Sequence, residues 1–299
     1  MSDVAPTRCG YVALVGRPNV GKSTLLNRLV GEKLAITADR PQTTRHALLG
    51  IRTEGADQIL YVDTPGLHAG ERRALNRAMN RSARAAVADV DVVCMVVEAG
   101  RWTDGDDLVL ELVRRARGAK LLVVNKADRV RPREALLPYL EACAGRAAWD
   151  ELVPISALKG HNLDRLEACI RARLPEAPHL FEADELTDRS ERFLVAELVR
   201  EKLFRRLGDE VPHQLTVEIE RWEDTPRGTL IHAAVLVERE GQKVIVLGRG
   251  GERIREVGIE ARRDIERLLD RHVRLELWVK VRGGWSDDAR MLRRLGYET

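Results

Sequence analysis

Four cysteines in 299 residues, Cys9, Cys94, Cys143 and Cys169, stand far apart, and no C-x-x-C pair occurs. That spacing offers no thiolate cluster for a metal or redox couple, so the four are expected as reduced core or surface residues. No uninterrupted apolar segment reaches the roughly 20 residues needed to span a bilayer. The opening Met1-Ser2-Asp3-Val4 lacks the basic flank and apolar core of an export signal, and a cytoplasmic location is expected. Internal repeats and low-complexity tracts are also missing. Net charge is scarce: 50 Lys and Arg against 47 Asp and Glu leave only +3. Residues 181–299 hold 23 basic against 25 acidic side chains, so any nucleic-acid binding there must rest on local geometry. What remains is a composition 44% hydrophobic and 32% charged, that of a globular chain long enough for about two domains.

The chemistry-bearing stretches begin near the N-terminus. Tyr11 to Thr24 reads as an apolar strand, a glycine-cornered loop and a helix start, and Gly16-Arg17-Pro18-Asn19-Val20-Gly21-Lys22-Ser23 fits the phosphate-loop pattern G-x-x-x-x-G-K-[ST]. Gly16 and Gly21 permit positive-φ corners that aim consecutive N–H groups at phosphate oxygens. Lys22 adds a mobile positive charge. Ser23 offers its hydroxyl to Mg2+ at a helix N-terminus whose dipole also favours phosphate.

Downstream, the apolar run Ile59-Leu60-Tyr61-Val62 enters Asp63-Thr64-Pro65-Gly66-Leu67. This places the Asp63 carboxylate beside the metal and the Gly66 N–H near a γ-phosphate. Thr43 and Thr44 lie in a polar, Pro-broken loop, and one of them, Thr44 by preference, joins Mg2+ only while γ-phosphate is present. Leu67 stands where many GTPases place a water-orienting Gln. Asn19 is the substitute tool: it can hold a monovalent cation such as K+ against the phosphates, supplying the charge an arginine finger gives elsewhere.

Base choice falls to Asn125-Lys126-Ala127-Asp128. The Asp128 carboxylate can accept from the N1–H and exocyclic amine of guanine, an edge adenine lacks, and a carboxylate left unpaired disfavours ATP. Lys126 lies along the base and Asn125 braces the loops. Ser156-Ala157 can supply a backbone N–H to the guanine O6. The ligands are therefore GTP and GDP with Mg2+.

Between these motifs short β-branched runs at Val90–Val97, Lys120–Val124 and Val153–Ala157 alternate with helical patterns at Ala74–Ala88, Asp106–Arg117 and Arg133–Ala144. Such alternation predicts an α/β, doubly wound parallel sheet with ligands at the C-terminal strand ends. It stops near Leu174-Pro175. A second unit follows: a helix Ser190–Leu207, strands Leu215–Trp222 and Leu230–Glu238, the loop Gly248-Arg249-Gly250-Gly251, a helix Glu252–Leu269, a strand Arg274–Val281, and a capped turn at Trp285–Arg290.

The runs Gly16–Ser23, Gln42-Thr43-Thr44-Arg45, Asp63–Leu67, Asn125–Asp128 and Ser156-Ala157 resemble the five motifs of the bacterial Era GTPases. The likeness continues in Thr187-Asp188-Arg189-Ser190, Val237–Lys243, Gly258–Arg262 and Leu275–Val281. It implies a P-loop G domain over residues 1–175, a linker over 176–189 and an α+β type II KH domain over 190–299. It further implies a GTP-hydrolysing monomer that binds the 3′ end of 16S ribosomal RNA during assembly of the 30S subunit, with peripheral association at the cytoplasmic face of the inner membrane.

In KH domains a G-x-x-G loop clamps nucleotide phosphates with its backbone, which assigns Gly248, Arg249, Gly250, Gly251 and Arg253 to RNA. Propensity makes Val244-Ile245-Val246-Leu247 a strand, whereas the KH resemblance makes it a short helix. Two other readings compete with an RNA-assembly switch. A GTP-driven RNA-modifying enzyme would need a nucleophile motif outside the G domain, and none is found. A membrane GTPase would use the helix Ser190–Leu207, whose Glu191, Glu197 and Glu201 favour domain packing instead.

Overall fold

The computed structural model describes residues 6–38, 43–66, 74–207 and 214–297. Two compact units divide the chain: Met1–Ala35, Thr44–Arg72 and Asn76–Asp188 form the first, and Ile36–Thr43, Arg73–Leu75 and Arg189–Thr299 the second.

The first unit is a six-stranded sheet in the order β2-β3-β1-β4-β5-β6. Its strands are β1 (Arg8–Val15), β2 (Leu48–Glu54), β3 (Asp57–Asp63), β4 (Val92–Glu98), β5 (Ala119–Asn125) and β6 (Glu151–Pro154). Helices α1 (Lys22–Val30), α2 (Ala74–Ala88), α3 (Asp104–Arg114), α4 (Leu136–Ala144) and α5 (Leu163–Arg171) connect them. Val12 to Val15 and Val92 to Val97 are buried without alternation, as strands covered on both faces must be. The sheet is parallel, as a doubly wound fold predicts, except at β2, which runs antiparallel to β3. Strand β2 escaped the sequence reading since Leu48-Leu49-Gly50-Ile51 shows no clean period. Its Gly50 leaves room for Leu26 of α1, whose Cδ1 would lie 2.8 Å from an added Cβ.

Helix α3 begins two residues before the expected start, where Asp106 Oδ2 accepts from both the N–H and the hydroxyl of Thr103 at 2.9 Å and caps the first turn. It also ends earlier, at Arg114. In the span expected as one helix over Arg133–Ala144, the first three residues form a 3-10 turn, and Pro138 sits in the first turn of α4, where its missing N–H costs nothing. The stretch 176–189, read from sequence as a linker, packs along the first unit as far as Leu186. Ala177 donates to Thr7 O at 3.0 Å, Gln58 Oε1 accepts from the Leu180 and Phe181 N–H groups, and Ile51 donates to Leu186 O. All four cysteines are buried free thiols.

The second unit carries α6 (Glu191–Arg206), β7 (Leu215–Thr225), β8 (Gly228–Val237), α7 (Glu240–Leu247), α8 (Glu252–Leu269), β9 (Val273–Val281) and α9 (Ala289–Arg294). Its sheet order is β7-β8-β9, with β8 antiparallel to β7 and parallel to β9. Ile231, Ala233, Val235 and Val237 alternate inward from β8 to meet Val195, Val199 and Leu203 of α6 and Val257, Ala261 and Ile265 of α8. Val244–Leu247 is helical, against β-propensity. Gln242 Oε1 caps α7 by accepting from the Glu238 and Arg239 N–H groups at 2.9 and 3.0 Å, and only Val246 of the four is buried, so the run needs one buried face rather than two.

Candidate functional site

Parallel pairing sets the site. The β1–β3 register places Leu14 opposite Asp63, and the β4–β5 register places Glu98 opposite Asn125, so the loops leaving these strands emerge side by side. The phosphate loop needs its glycines sterically as well as conformationally. A Cβ at Gly16 would strike Val96 O, and one at Gly21, where φ is 101°, would strike Asn125 Nδ2. At Gly66 it would lie 2.8 Å from Pro18 N, so this backbone and the loop touch.

Inside this frame Lys22 is buried and its Nζ donates to Gly16 O and Arg17 O at 2.9 and 3.0 Å. Burial pulls the amine down to about 8, against the opposing pull of Asp63. Asp63 is wholly buried, and burial pushes its carboxyl up to about 6 despite Lys22 and the hydroxyls of Ser23 and Thr44. Ser23 Oγ lies 2.7 Å from both Asp63 Oδ2 and Thr44 Oγ1. Antiparallel β2 is what returns Thr44 to this point. Thr43 is directed elsewhere: its hydroxyl donates to Ala38 O at 3.2 Å and its carbonyl accepts from buried Arg200. Asp63 Oδ1 is buried with no hydrogen-bond partner among the described residues. Thr64 secures the turn by donating to Leu14 O at 2.9 Å.

Asn125 ties three loops together. Its Nδ2 donates to Val20 O at 2.8 Å, and its Oδ1 accepts from the Lys126 and Ala157 N–H groups at 2.8 and 2.9 Å. Of the two backbone N–H groups at Ser156-Ala157, either of which could reach a guanine oxygen, that of Ala157 donates to Asn125 Oδ1 and that of Ser156 to His161 O. Asp128 is held below the usual carboxylate range by a hydrogen bond from Ser156 and by Lys159, whose Nζ lies 3.5 Å away. Lys126 Nζ bridges Asn19 O at 2.8 Å and Glu98 Oε1 at 3.0 Å. Exposed Asn19 takes φ 64° at the crest of the loop. Pro65 and Gly66 are buried beside Asp63, whereas Leu67 lies outside the described residues.

Two carboxylates absent from every motif complete the site. Arg17 pairs with Glu98 at 2.8 Å and with fully buried Asp106 at 3.1 Å, so its side chain turns from the loop toward β4 and α3. Glu98 therefore links Arg17 to Lys126. Their sequence signal was weak: Glu98 ends an apolar strand and Asp106 stands three residues after a capping Thr.

In the second unit Gly248, Arg249, Gly250 and Gly251 join α7 to α8. Gly248, Gly250 and Gly251 have φ of 74°, 58° and 81°, and nothing lies within 4 Å of a Cβ added at Gly250 or Gly251. Arg253 is directed back to Ile245 O. Val244, Ile245 and Ile259, within two turns on either side of the loop, are exposed apolar residues that the sequence reading did not assign.

The match to known proteins agrees with this geometry. Residues 11–126 match the family described as 50S ribosome-binding GTPase, and residues 210–286 match the KH domain family. The GTPase Era proteins of Pseudomonas savastanoi pv. phaseolicola and Pseudomonas putida are each 58% identical over 297 residues, covering 99% of this chain and 99% and 98% of theirs. Among solved structures, Era in complex with MgGDPNP and nucleotides 1506–1542 of 16S ribosomal RNA is 36% identical, with a TM-score of 0.95 over 98% of this chain and 100% of that one. A variant of Aquifex aeolicus Era bound to GDP·AlF4− gives a TM-score of 0.94 over the same shares at 36% identity. With this identity sustained over nearly its whole length, the chain belongs to the Era family of GTPases.

Proposed function

We propose that this GTPase is an RNA-assembly switch: it binds GTP with Mg2+ in the first unit and holds the 3′ end of 16S ribosomal RNA on the glycine loop of the second, timing a step in 30S subunit assembly. The observation that carries the nucleotide half is the meeting of Ser23, Thr44 and Asp63, three oxygen donors from three loops, with Asp63 Oδ1 buried and unpaired among the described residues. Hard oxygen donors of this kind suit Mg2+, which would neutralise phosphate charge at that point. Lys22 would give up the Gly16 and Arg17 carbonyls for phosphate oxygens. Gly66 N–H would hold the γ-phosphate, and its loss would release the Thr44 loop. Asp128 would read the guanine edge, with Lys126 along the base.

Asn19 would support K+ binding at the crest of the phosphate loop, where its backbone already turns outward. For the RNA half, support comes from the open glycine loop and from the relative solved with a 16S ribosomal RNA segment. Both sites lie within one chain, which suits a monomer, and a ribosomal target requires the cytoplasm. The test is binding of a 3′-terminal 16S RNA oligonucleotide to the full chain with a non-hydrolysable GTP analogue and then with GDP. Tighter binding in one nucleotide state is expected. Absence of binding in both states would overturn the RNA reading.

A further inference from the structure

Strand β4 ends on a carboxylate that serves two loops. Glu98 Oε2 accepts from Arg17 of the phosphate loop at 2.8 Å, and its Oε1 accepts from Lys126 Nζ at 3.0 Å. All three side chains are shielded: Arg17 is 14% exposed, Lys126 22% and Glu98 23%, so solvent screens these pairs less than ordinary surface ion pairs. Burial alone would push the Glu98 carboxyl up, but hydrogen bonds from Arg17 and Lys126 hold it below the usual carboxylate range, and it is charged.

The strand end itself is fixed. Tyr139 Oη donates to Glu98 O at 2.9 Å, and the next residue, Ala99, donates its N–H to Asn125 O at 2.8 Å, which ties the carboxylate to α4 and to the loop that carries Lys126. On the other side Asp106 accepts from Arg17 Nε at 3.1 Å, and Asp106 is held in turn by the Thr103 N–H and hydroxyl. Arg17 therefore keeps a carboxylate on α3 if Glu98 is lost. Lys126 does not: besides Glu98, its Nζ reaches only the Asn19 carbonyl among the described residues, at 2.8 Å. Its backbone takes φ 62°, which sets the direction in which its side chain leaves the loop. A lysine stem is flexible, and a single polar anchor leaves it several courses to that anchor, whereas two anchors select one.

We infer that Glu98 is a positioning residue for base recognition: by giving Lys126 Nζ its second anchor it lays the lysine stem where a guanine ring is received, and by sharing Arg17 it ties that stem to the phosphate loop. This inference rests on the reading above in which Lys126 lies along the base. The base takes no part in transfer of the γ-phosphate, so Glu98 contributes to binding of nucleotide in every state and not to the chemical step. A carboxylate that acted on the phosphates through Arg17 would show in kcat, and its effect would persist without Lys126.

The test compares the full-length parent with Glu98→Ala, Lys126→Met and the double variant, measuring GDP affinity and the kcat and KM of GTP turnover. Glu98→Gln is the conservative companion, since it keeps an acceptor for Lys126 without the charge. Glu98→Ala should weaken GDP binding about fivefold or more, the size of one charge-assisted hydrogen bond lost from a partly shielded pair. KM should rise by the same factor, with kcat within about twofold of the parent's. Glu98→Gln should lose less. In the Lys126→Met background the Glu98→Ala change should cost less than about twofold, because its effect passes through the lysine. A Glu98→Ala variant that binds GDP as the parent does, that lowers kcat in place of raising KM, or that costs as much without Lys126 as with it would overturn the inference. Parental GDP affinity in Lys126→Met would instead count against the base reading on which it rests.

Discussion

Changing Asn125 to Ala tests whether the loops of the nucleotide site are held by one another or by their ligand. The side chain is 3% exposed, and its three hydrogen bonds reach the phosphate loop, the Asn125–Asp128 loop and the Ser156-Ala157 loop. Alanine leaves Val20 O and the Ala157 N–H buried without partners, while the Lys126 N–H is partly accessible and water can replace the lost acceptor. Each buried orphan costs about 1–3 kcal/mol, so the truncation should cost about 2–6 kcal/mol before any nucleotide is added. In a unit of this size that corresponds to a fall of roughly 4–24 °C in melting temperature. Calorimetry of the whole chain gives the answer, with the first unit's transition identified as the one that added GDP raises. A nucleotide-free transition within about 2 °C of the parent's, together with weakened GTP binding, would refute the reasoning and make Asn125 a ligand contact rather than a brace.

Three further outcomes are expected. Asp128→Asn should weaken GTP binding and favour xanthosine triphosphate, whose edge offers an acceptor where guanine has its amine; equal GTP affinity in variant and parent would exclude Asp128 as the base reader. Steady-state turnover should rise when K+ replaces Na+, and Asn19→Ala should abolish that difference; a parent indifferent to the two cations would remove Asn19 from catalysis. Gly250→Asp should weaken binding of a 16S 3′-end oligonucleotide at least tenfold, about 1.4 kcal/mol or more, with GTP affinity unchanged. Gly250→Asn, of the same shape without the charge, should lose distinctly less. Equal losses would assign the effect to shape rather than to repulsion of phosphate.

Most of the nucleotide site was readable because its residues are local in sequence and their chemistry needs fixed spacing. Gly16 to Ser23 and Asn125 to Asp128 are each one loop, and a strand before each predicts where the loop points. What could not be read is what depends on pairing between distant segments. Strand β2 has no clear period, yet its antiparallel pairing with β3 is what brings Thr44 to Asp63 and leaves Thr43 outside. Glu98 and Asp106 are ordinary as a strand end and a capping residue, and only the fold turns them into the partners of Arg17. Ser156-Ala157 could be read as a source of a backbone N–H for a base, but nothing in those residues shows that the Ala157 N–H meets Asn125 Oδ1 at 2.9 Å, a contact between loops 32 residues apart. In the second unit the helix over Val244–Leu247 was legible only through resemblance, since β-propensity favoured a strand and the capping by Gln242 acts from outside the run.

The glycines of the two loops look alike in sequence and serve different physical ends. At Gly16 and Gly66 the space of a Cβ is already filled, by Val96 O and by Pro18 N, so those residues are small because protein backbone passes beside them. At Gly250 and Gly251 the space is empty to beyond 4 Å and only the positive φ excludes most side chains. A methyl group at Gly16 would therefore disturb the fold of the loop itself, whereas a short polar side chain at Gly250 disturbs almost nothing within the protein. Asn and Asp are the residues that best tolerate φ near 58°, so the backbone cost of either is small and nearly equal. An effect of Gly250→Asp on RNA binding consequently reports on what approaches the loop from outside. The open space at that position leaves room for another molecule to approach the backbone, while the filled space at Gly16 marks a backbone packed against its own chain.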